Sequence, residues 1–422
     1  MRQLIQLPVI VAALGYFVDI YDLLLFSIVR MESLRSLGVA EKDLLIKGVY
    51  LINMQMGGLL AGGILWGILG DKRGRITVLF ASISIYSLAN VANGFVTTLP
   101  QYALLRFIAG VGLAGELGVG ITLVAETLPR EIRGYGTSLV AGTGMLGAVL
   151  AYGVADLFEW RIAYCIGGGL GLLLLLLRLK VFESGIFEKT KQKPVSRGNF
   201  FALFTSGSQF SKYICCILIG VPVWFVAGIL MTFSPEFGKA LHLDEPVIAG
   251  KAVMWEYLGL TAGDICSGLL SQYASSRKKI VVLFVSLVGI LSAVYLFVPL
   301  RSTAAFYALC VGLGFGAGYW ALFVTIAAEQ FGTNLRATVA TTVPNFVRGS
   351  IVIMTPLFLF FRQQFGVLPG GALVGLLATV LALAGVLNVE ETFGKDLDFV
   401  EVTTKDLTTD MEPETEKPLP VR

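Results

Sequence analysis

Asp19, Asp22, Arg106, Glu116 and Arg348 stand inside stretches that are otherwise almost wholly apolar. A carboxylate in such surroundings binds a proton when desolvated and releases it when a cation or water approaches, because burial and a positive neighbour act in opposite directions. Asp22 and Arg106 are the pair best suited to that exchange; a fixed ion pair is the alternative. Asp19 and Glu116 fit either the same proton path or contact with a small solute, against a role as polar contacts between helices. Arg348, with Asn345 one turn earlier on the same helical face, offers a guanidinium whose fork donates two parallel hydrogen bonds to a carboxylate or phosphate. Asn53, Gln55, Trp224, Glu256, Tyr257, Tyr319 and Trp320 lie in other apolar stretches and could complete such a pocket, each against the plainer alternative of packing.

Other chemistries lack material. His242 is the single histidine, and the five cysteines, Cys165, Cys215, Cys216, Cys266 and Cys310, sit in apolar runs without metal-ligand spacing. No metal, cofactor or enzymatic activity is expected. A net charge of +3 from 32 basic and 29 acidic residues gives nucleic acid no reason to bind.

The elements that must position these residues follow from composition. Of 422 residues, 55% are hydrophobic and 14% charged, against roughly a quarter charged in soluble proteins. The solvent is therefore lipid. A helix crossing a hydrocarbon core of about 30 Å needs about 20 apolar residues, and twelve such spans are expected: 8–31, 46–70, 76–96, 101–127, 136–158, 161–181, 211–235, 248–272, 280–299, 303–328, 337–361 and 367–389. The first begins too close to the start, without a small-residue cleavage site, to be a removed signal. About two-thirds of the Lys and Arg fall on the side of both termini, which the positive-inside rule makes cytoplasmic. A basic connection over 182–210, ending in an amphipathic segment, separates a six-helix bundle at 1–181 from a second at 211–390. The polar tail 391–422 buries too little apolar surface to order itself.

The two halves share a plan. Ala125-Glu126 followed by Arg133 recurs as Ala328-Glu329 followed by Arg336 with the same spacing, and Gly67 with Asp71 returns as Gly268 with Gln272. Gly67 to Arg75 resembles the loop signature of the major facilitator superfamily, and Arg106 to Gly110 its fourth-helix signature. Tyr16 to Asp22, Gly115-Glu116, Glu126 to Arg133 and Glu183-Ser184 are similar to the metabolite:proton symporters and sugar porters, and Glu391 to Lys395 to the closing motif of sugar porters.

The resemblance implies an all-α membrane protein of two pseudo-symmetric six-helix bundles that work by alternating access. It implies the helix 1 acid and helix 4 arginine coupling of sugar porters at Asp22 and Arg106. It also places Asp71 against the eleventh helix and Arg75 against Glu126, so that Asp71, Arg73, Arg75, Glu126, Arg133, Glu329 and Arg336 act as cytoplasmic latches. Gln272 replaces an acid in the second loop signature, and Leu309 takes the place corresponding to Arg106. The fifth span holds Gly142, Gly144 and Gly147 without the proline of drug antiporters, which favours uptake. The expectation is a monomeric carrier in a bacterial inner membrane, moving a small carboxylate, amino acid or zwitterion with a proton or a sodium ion. Export, exchange or uncoupled facilitation of a sugar or organic cation is the alternative, and a receptor or channel a remoter one.

Overall fold

The computed structural model describes residues 6–73, 75–116, 118, 120, 124, 128, 133–178, 200–204 and 206–394. Among the described residues, twelve long helical segments, three of them in two pieces, carry the chain back and forth. In the first half they are α1 (Leu7–Ser36), α2 (Leu44–Arg73), α3 (Arg75–Asn93), α4 (Leu99–Leu113), α5 (Arg133–Met145 and Gly147–Leu157) and α6 (Trp160–Arg178). In the second half α7 is Gly207–Phe225 continued by a π-helical stretch, Val226–Met231, and α8 is Ala249–Tyr273. They are followed by α9 (Arg277–Phe297), α10 (Thr303–Ala317 and Trp320–Glu329), α11 (Thr333–Gly349 and Ile351–Phe365) and α12 (Val367–Asn388).

Among the described residues, nine helices are long and apolar enough to cross a membrane. The described parts of α3 and α4 are shorter, and α8 has the length but carries Lys251, Glu256 and Asp264. Large apolar side chains face outward where lipid would lie, among them Leu88, Leu104, Leu173, Ile290, Ile353 and Leu376. A helix is the structure lipid tolerates, because its backbone polar groups are satisfied within the segment.

Packing repeats with a period of six helices. In the first half α1 packs on α5 and α6, α2 on α4, and α3 on α4 and α6; in the second, α7 packs on α11 and α12, α8 on α10, and α9 on α10 and α12. The halves meet through α2 with α11, α5 with α8, and α1 with α8. The tightest seams rest on glycine. A Cβ on Gly58 or Gly62 would run into the backbone of Phe107 or Val111, and one on Gly110 into the carbonyl of Gln55. The matching seam sets Gly259 and Gly263 against Val311 and Phe315, and Gly314 against Glu256. Small residues let backbones approach in lipid, where dispersion packing holds helices together. This register corrects the sequence alignment by one residue: Cys310, four before Gly314, corresponds to Arg106, four before Gly110, so Leu309 does not.

Four spans expected as continuous are broken. α5 is interrupted at Leu146, α10 at Gly318-Tyr319 and α11 at Ser350, while α7 widens into a π-helix four residues after Pro222. Breaks and π turns free backbone groups and redirect side chains, and they cluster at working sites. In the connection between the halves, Phe200–Phe204 forms a short 3-10 turn with Phe200 and Leu203 buried and Phe201 and Phe204 exposed. Residues 182–199 and 205 of that connection and the tail beyond Gly394 lie outside the described residues, and α7 begins within its last four residues.

Candidate functional site

Asp19 and Asp22 are three residues apart on α1 and so lie on one face of it. Both are completely buried. Asp19 Oδ2 accepts a hydrogen bond from Arg348 Nη2 at 3.2 Å. The partners come from opposite halves, and both side chains are sealed from solvent. Arg348 ends the first piece of α11 just before the break at Ser350, and its guanidinium carbon lies 5.9 Å from the ring centre of Trp320. Trp320 starts the second piece of α10, whose N-terminus is held by Asp264 of α8: Asp264 Oδ1 accepts from the Ala321 backbone N–H at 3.1 Å. A carboxylate at a helix N-terminus meets unsatisfied N–H groups and the positive end of the dipole. Tyr16 and Tyr257 face the same charges, Tyr16 beside Arg348, Asp19 and Asp264 and Tyr257 beside Arg348 and Asp19.

Much of the bonding capacity at this centre is unspent. Among the described residues, Arg348 Nε and Nη1, Asp19 Oδ1, Asp264 Oδ2, the Tyr16 hydroxyl and Trp320 Nε1 are buried without a close hydrogen bond, although Tyr16 lies beside Arg348 and Asp264 also faces the Trp320 backbone N–H. Buried polar groups are nearly always satisfied, and each exception calls for a reason. A cluster of donors and acceptors gathered from α1, α8, α10 and α11 can take a small polar solute between the halves.

Arg106 has a different setting. Its Nη2 donates to Asn90 Oδ1 at 2.7 Å and its Nη1 to Gln55 Oε1 at 3.5 Å and the Tyr164 hydroxyl at 3.4 Å, with the guanidinium carbon 4.9 Å from the Tyr164 ring centre. All these partners are neutral. Asp22 interacts electrostatically with Arg106 and with the Asn90 side chain, yet neither of its carboxylate oxygens makes a close hydrogen bond among the described residues. The expected pair is therefore present as neighbours, not as a closed ion pair. Gly167 on α6 makes the room, since a Cβ there would collide with Asp22 Oδ1.

The remaining residues divide. Glu116 accepts from Ser82 Oγ at 3.3 Å, deep in the first half. Asn345 turns from Arg348 to donate to the carbonyls of Ala114 at 2.9 Å and Thr341 at 3.0 Å, tying α11 to the end of α4. Asn53 Oδ1 accepts from Thr355 across the halves at 2.7 Å. Gln55 donates to the Leu23 carbonyl at 3.2 Å and Tyr319 to the Ile219 carbonyl at 2.9 Å, each inside its own half. Trp224 is buried just before the π stretch. Glu256 is fully buried within the second half.

Of the proposed latches, Arg73 is exposed, and Glu329 pairs with Arg277 at the start of α9. Glu126 and the side chains of Asp71, Arg75, Arg133 and Arg336 lie outside the described residues.

Three groups escaped the sequence reading. Asp264 is the second acid of the eighth apolar span, after Glu256, and carries the same signal that marked Asp19. Asn90, Tyr164 and Tyr16 are neutral residues of types common in membrane helices, with no distinguishing mark. Arg30 is the third: it is wholly buried near the end of α1, donates to both Glu236 oxygens at 2.8 Å and to the Thr232 carbonyl at 3.2 Å, and stacks on Phe233 at 4.7 Å. It stands at the very end of the first apolar span, and its partners lie about half the chain away in sequence.

A multi-pass, all-helical membrane protein with a buried charged centre shared by two repeated halves has the construction of a secondary carrier. The chain belongs to the Major Facilitator Superfamily, whose family model matches residues 12–356. It is 26% identical over 402 residues to a protein of Cupriavidus pinatubonensis named "Probable 4-methylmuconolactone transporter", covering 90% of this chain and 89% of that one. It is 34% identical over 180 residues to the niacin transporter NiaP of Acinetobacter baylyi, covering 41% and 40%. In fold it is similar to the E. coli proton:xylose symporter XylE bound to 6-bromo-6-deoxy-D-glucose, with a TM-score of 0.72 at 16% identity over 93% of this chain and 97% of that one. The chain is thus a secondary transporter of small metabolites and not an enzyme.

Proposed function

We propose that the chain takes up a small organic acid together with a proton, by alternating access between the bundles 1–181 and 211–390. The observation that carries this reading is the buried Asp19–Arg348 contact, which occupies only Nη2 of the guanidinium. A carboxylate solute can take the fork of Arg348 in the two-bond geometry that Asp19 does not use. Displaced from Arg348, Asp19 becomes an isolated buried anion, which is costly. A proton held at Asp22, one turn away, can pass to Asp19 and neutralise it. Arg106 then faces an ionised Asp22 and stabilises it. Solute binding and proton movement are thereby one event, and neither ligand alone leaves the charges balanced.

The relatives support the solute class: niacin, the cargo named for one of them, is itself a carboxylic acid. Arg348 favours such an anion over a neutral sugar. The positive-inside distribution supports cytoplasmic termini, and bacterial relatives support the inner membrane. The carrier is complete as a monomer, since both halves of the centre come from one chain.

The test is niacin uptake into proteoliposomes with and without an imposed pH gradient. Gradient-driven accumulation is expected in the native chain. Asp22→Asn should abolish accumulation while leaving niacin exchange across the membrane partly intact. Accumulation that ignores the gradient, or an Asp22→Asn variant that still concentrates niacin, overturns proton coupling at this site.

A further inference from the structure

The repeat places Glu256 in the second half where Gln55 stands in the first. Both lie three residues before a seam glycine, Gly259 and Gly58, and the backbone carbonyl of each faces the glycine of the partner helix, Gly314 and Gly110. The surroundings differ in one respect. Gln55 is met by Arg106, whereas the position matching Arg106 is Cys310. The acid therefore sits in a copy of the first half's polar site from which the cation has been removed.

Glu256 is fully buried, and neither carboxylate oxygen has a partner among the described residues. The groups close enough to interact with it are Cys310 of α10, Tyr295 of α9 and its neighbour Tyr257. Toward the other elements that pack on α8, Asp19 and Tyr16 of α1 interact with Tyr257, and no Arg, Lys or His interacts with Glu256 among the described residues. An ionised carboxylate with neither cation nor donor is poorly tolerated in such a place, and a bound proton removes the difficulty.

The neighbouring backbone supplies a route by which that proton can matter. Tyr295 donates to the Leu230 carbonyl at 3.0 Å, within the π-helical stretch of α7. The next residues are Thr232, which donates to Ser27 Oγ of α1 at 3.0 Å and whose carbonyl accepts from Arg30, and then Glu236 in its pair with Arg30. The Glu256 site thus adjoins the π-helical stretch, and the outer contact between the halves follows directly after it, at Thr232 and Glu236. A π turn can tighten to α-helix by shifting a single residue, and such turns recur at functional sites.

We propose that Glu256 is a second proton-binding site of this carrier, in the second half, which exchanges its proton when the Arg30–Glu236 contact opens and α7 shifts. It acts beside Asp22 and not through the Asp19–Arg348 pair. The inference rests on the proton-coupled reading given above and adds a second proton to the cycle.

Infrared difference spectroscopy of the purified full chain tests it without any cargo. Subtracting the Glu256→Gln spectrum from the native one should leave a protonated carboxyl band that shifts in deuterated water and disappears reversibly from mildly acidic to mildly alkaline pH. The same band should persist in Asp22→Asn and Asp19→Asn. A band that never titrates or exchanges, or an ionised carboxylate throughout the range, overturns the proposal.

Proton-to-niacin stoichiometry in proteoliposomes gives the second readout, with two expected for the native chain and one for Glu256→Gln. One in both overturns the second site and leaves the coupling at Asp22 standing. None in the native chain overturns the coupling itself, and the infrared result then decides Glu256 alone.

Discussion

Arg348 and Asp19 meet at 3.2 Å from opposite halves of the chain, each buried beyond the reach of solvent. A buried pair is weak evidence for stability, but removing one partner strands the other as an uncompensated charge at a cost of about 3–5 kcal/mol. Asp19→Asn and Arg348→Gln should each lower the thermal midpoint in detergent, and the double variant should lose clearly less than the sum. The coupling free energy of the cycle is the measurement. Additive losses would mean that the two side chains do not meet in solution.

The Arg30 pair with Glu236 makes an independent prediction about the state of the carrier. It ties the C-terminal end of α1 to the segment after α7, with Ser27 and Thr232 bonded one turn back along α1. Glu236→Gln removes the charge and leaves Arg30 buried, so the contact should open. If about 1.4 kcal/mol of closing free energy is lost, the open fraction rises about tenfold. Labelling of Ser27→Cys by a membrane-impermeant thiol reagent should accelerate by that order in the Glu236→Gln background. An unchanged rate would show that this contact does not hold the outer side shut.

Much of this arrangement was legible before any coordinates, for a physical reason. Lipid imposes a long apolar run for each crossing, so the spans could be counted, and it makes an ionisable residue expensive enough to stand out, which exposed Asp19, Asp22, Arg106 and Arg348. What was not legible depended on the partner's side of the contact. Asp22 and Arg106 lie beside one another, yet Arg106 spends its donors on Asn90, Gln55 and Tyr164, neutral residues that no composition argument distinguishes. Asn345 shares a helical face with Arg348 but is drawn to a carbonyl at the end of α4, freed where that helix turns at Ala114. The helix breaks were hidden for a similar reason: Gly318 and Ser350 are ordinary residues of membrane helices, and the break at Gly318 is held by Asp264 from another helix.

Glu391 provides a pH test outside the membrane segments. It follows α12 and accepts from Ser276 Oγ at 2.5 Å and from the backbone N–H groups of Arg277 and Lys278 at 3.1 and 3.3 Å, so it caps the start of α9. Burial alone would raise its pKa, but the hydrogen bonds from Ser276, Phe393, Arg277 and Lys278 outweigh burial and hold the carboxyl below the usual glutamate range. A carboxyl depressed in the folded state contributes stability above its unfolded pKa of about 4.3 and loses it as pH falls through the folded value. The native chain should therefore exceed Glu391→Gln in thermal midpoint at neutral pH, and the gap should close below about pH 4. A gap that is constant with pH would assign the effect to the amide's geometry and not to the charge.

Two adjacent glycines on α2 separate helix packing from helix propensity. A Cβ on Gly58 would strike the carbonyl of Phe107 on α4, whereas one on Gly57 meets nothing within 4 Å. Gly57→Ala should be neutral or stabilising by about 0.5–1 kcal/mol, the intrinsic advantage of alanine inside a helix. Gly58→Ala carries the same advantage and must also force α2 from α4, at a cost of about 1–3 kcal/mol for overpacking. The thermal midpoints of the two variants should therefore move apart, with Gly58→Ala the lower. Gly259→Ala should repeat the loss in the second half, because its Cβ would strike the carbonyl of Val311 in the matching seam. If Gly58→Ala and Gly259→Ala differ sharply, the two halves do not pack by one rule, and the register that sets Glu256 against Gln55 loses its basis.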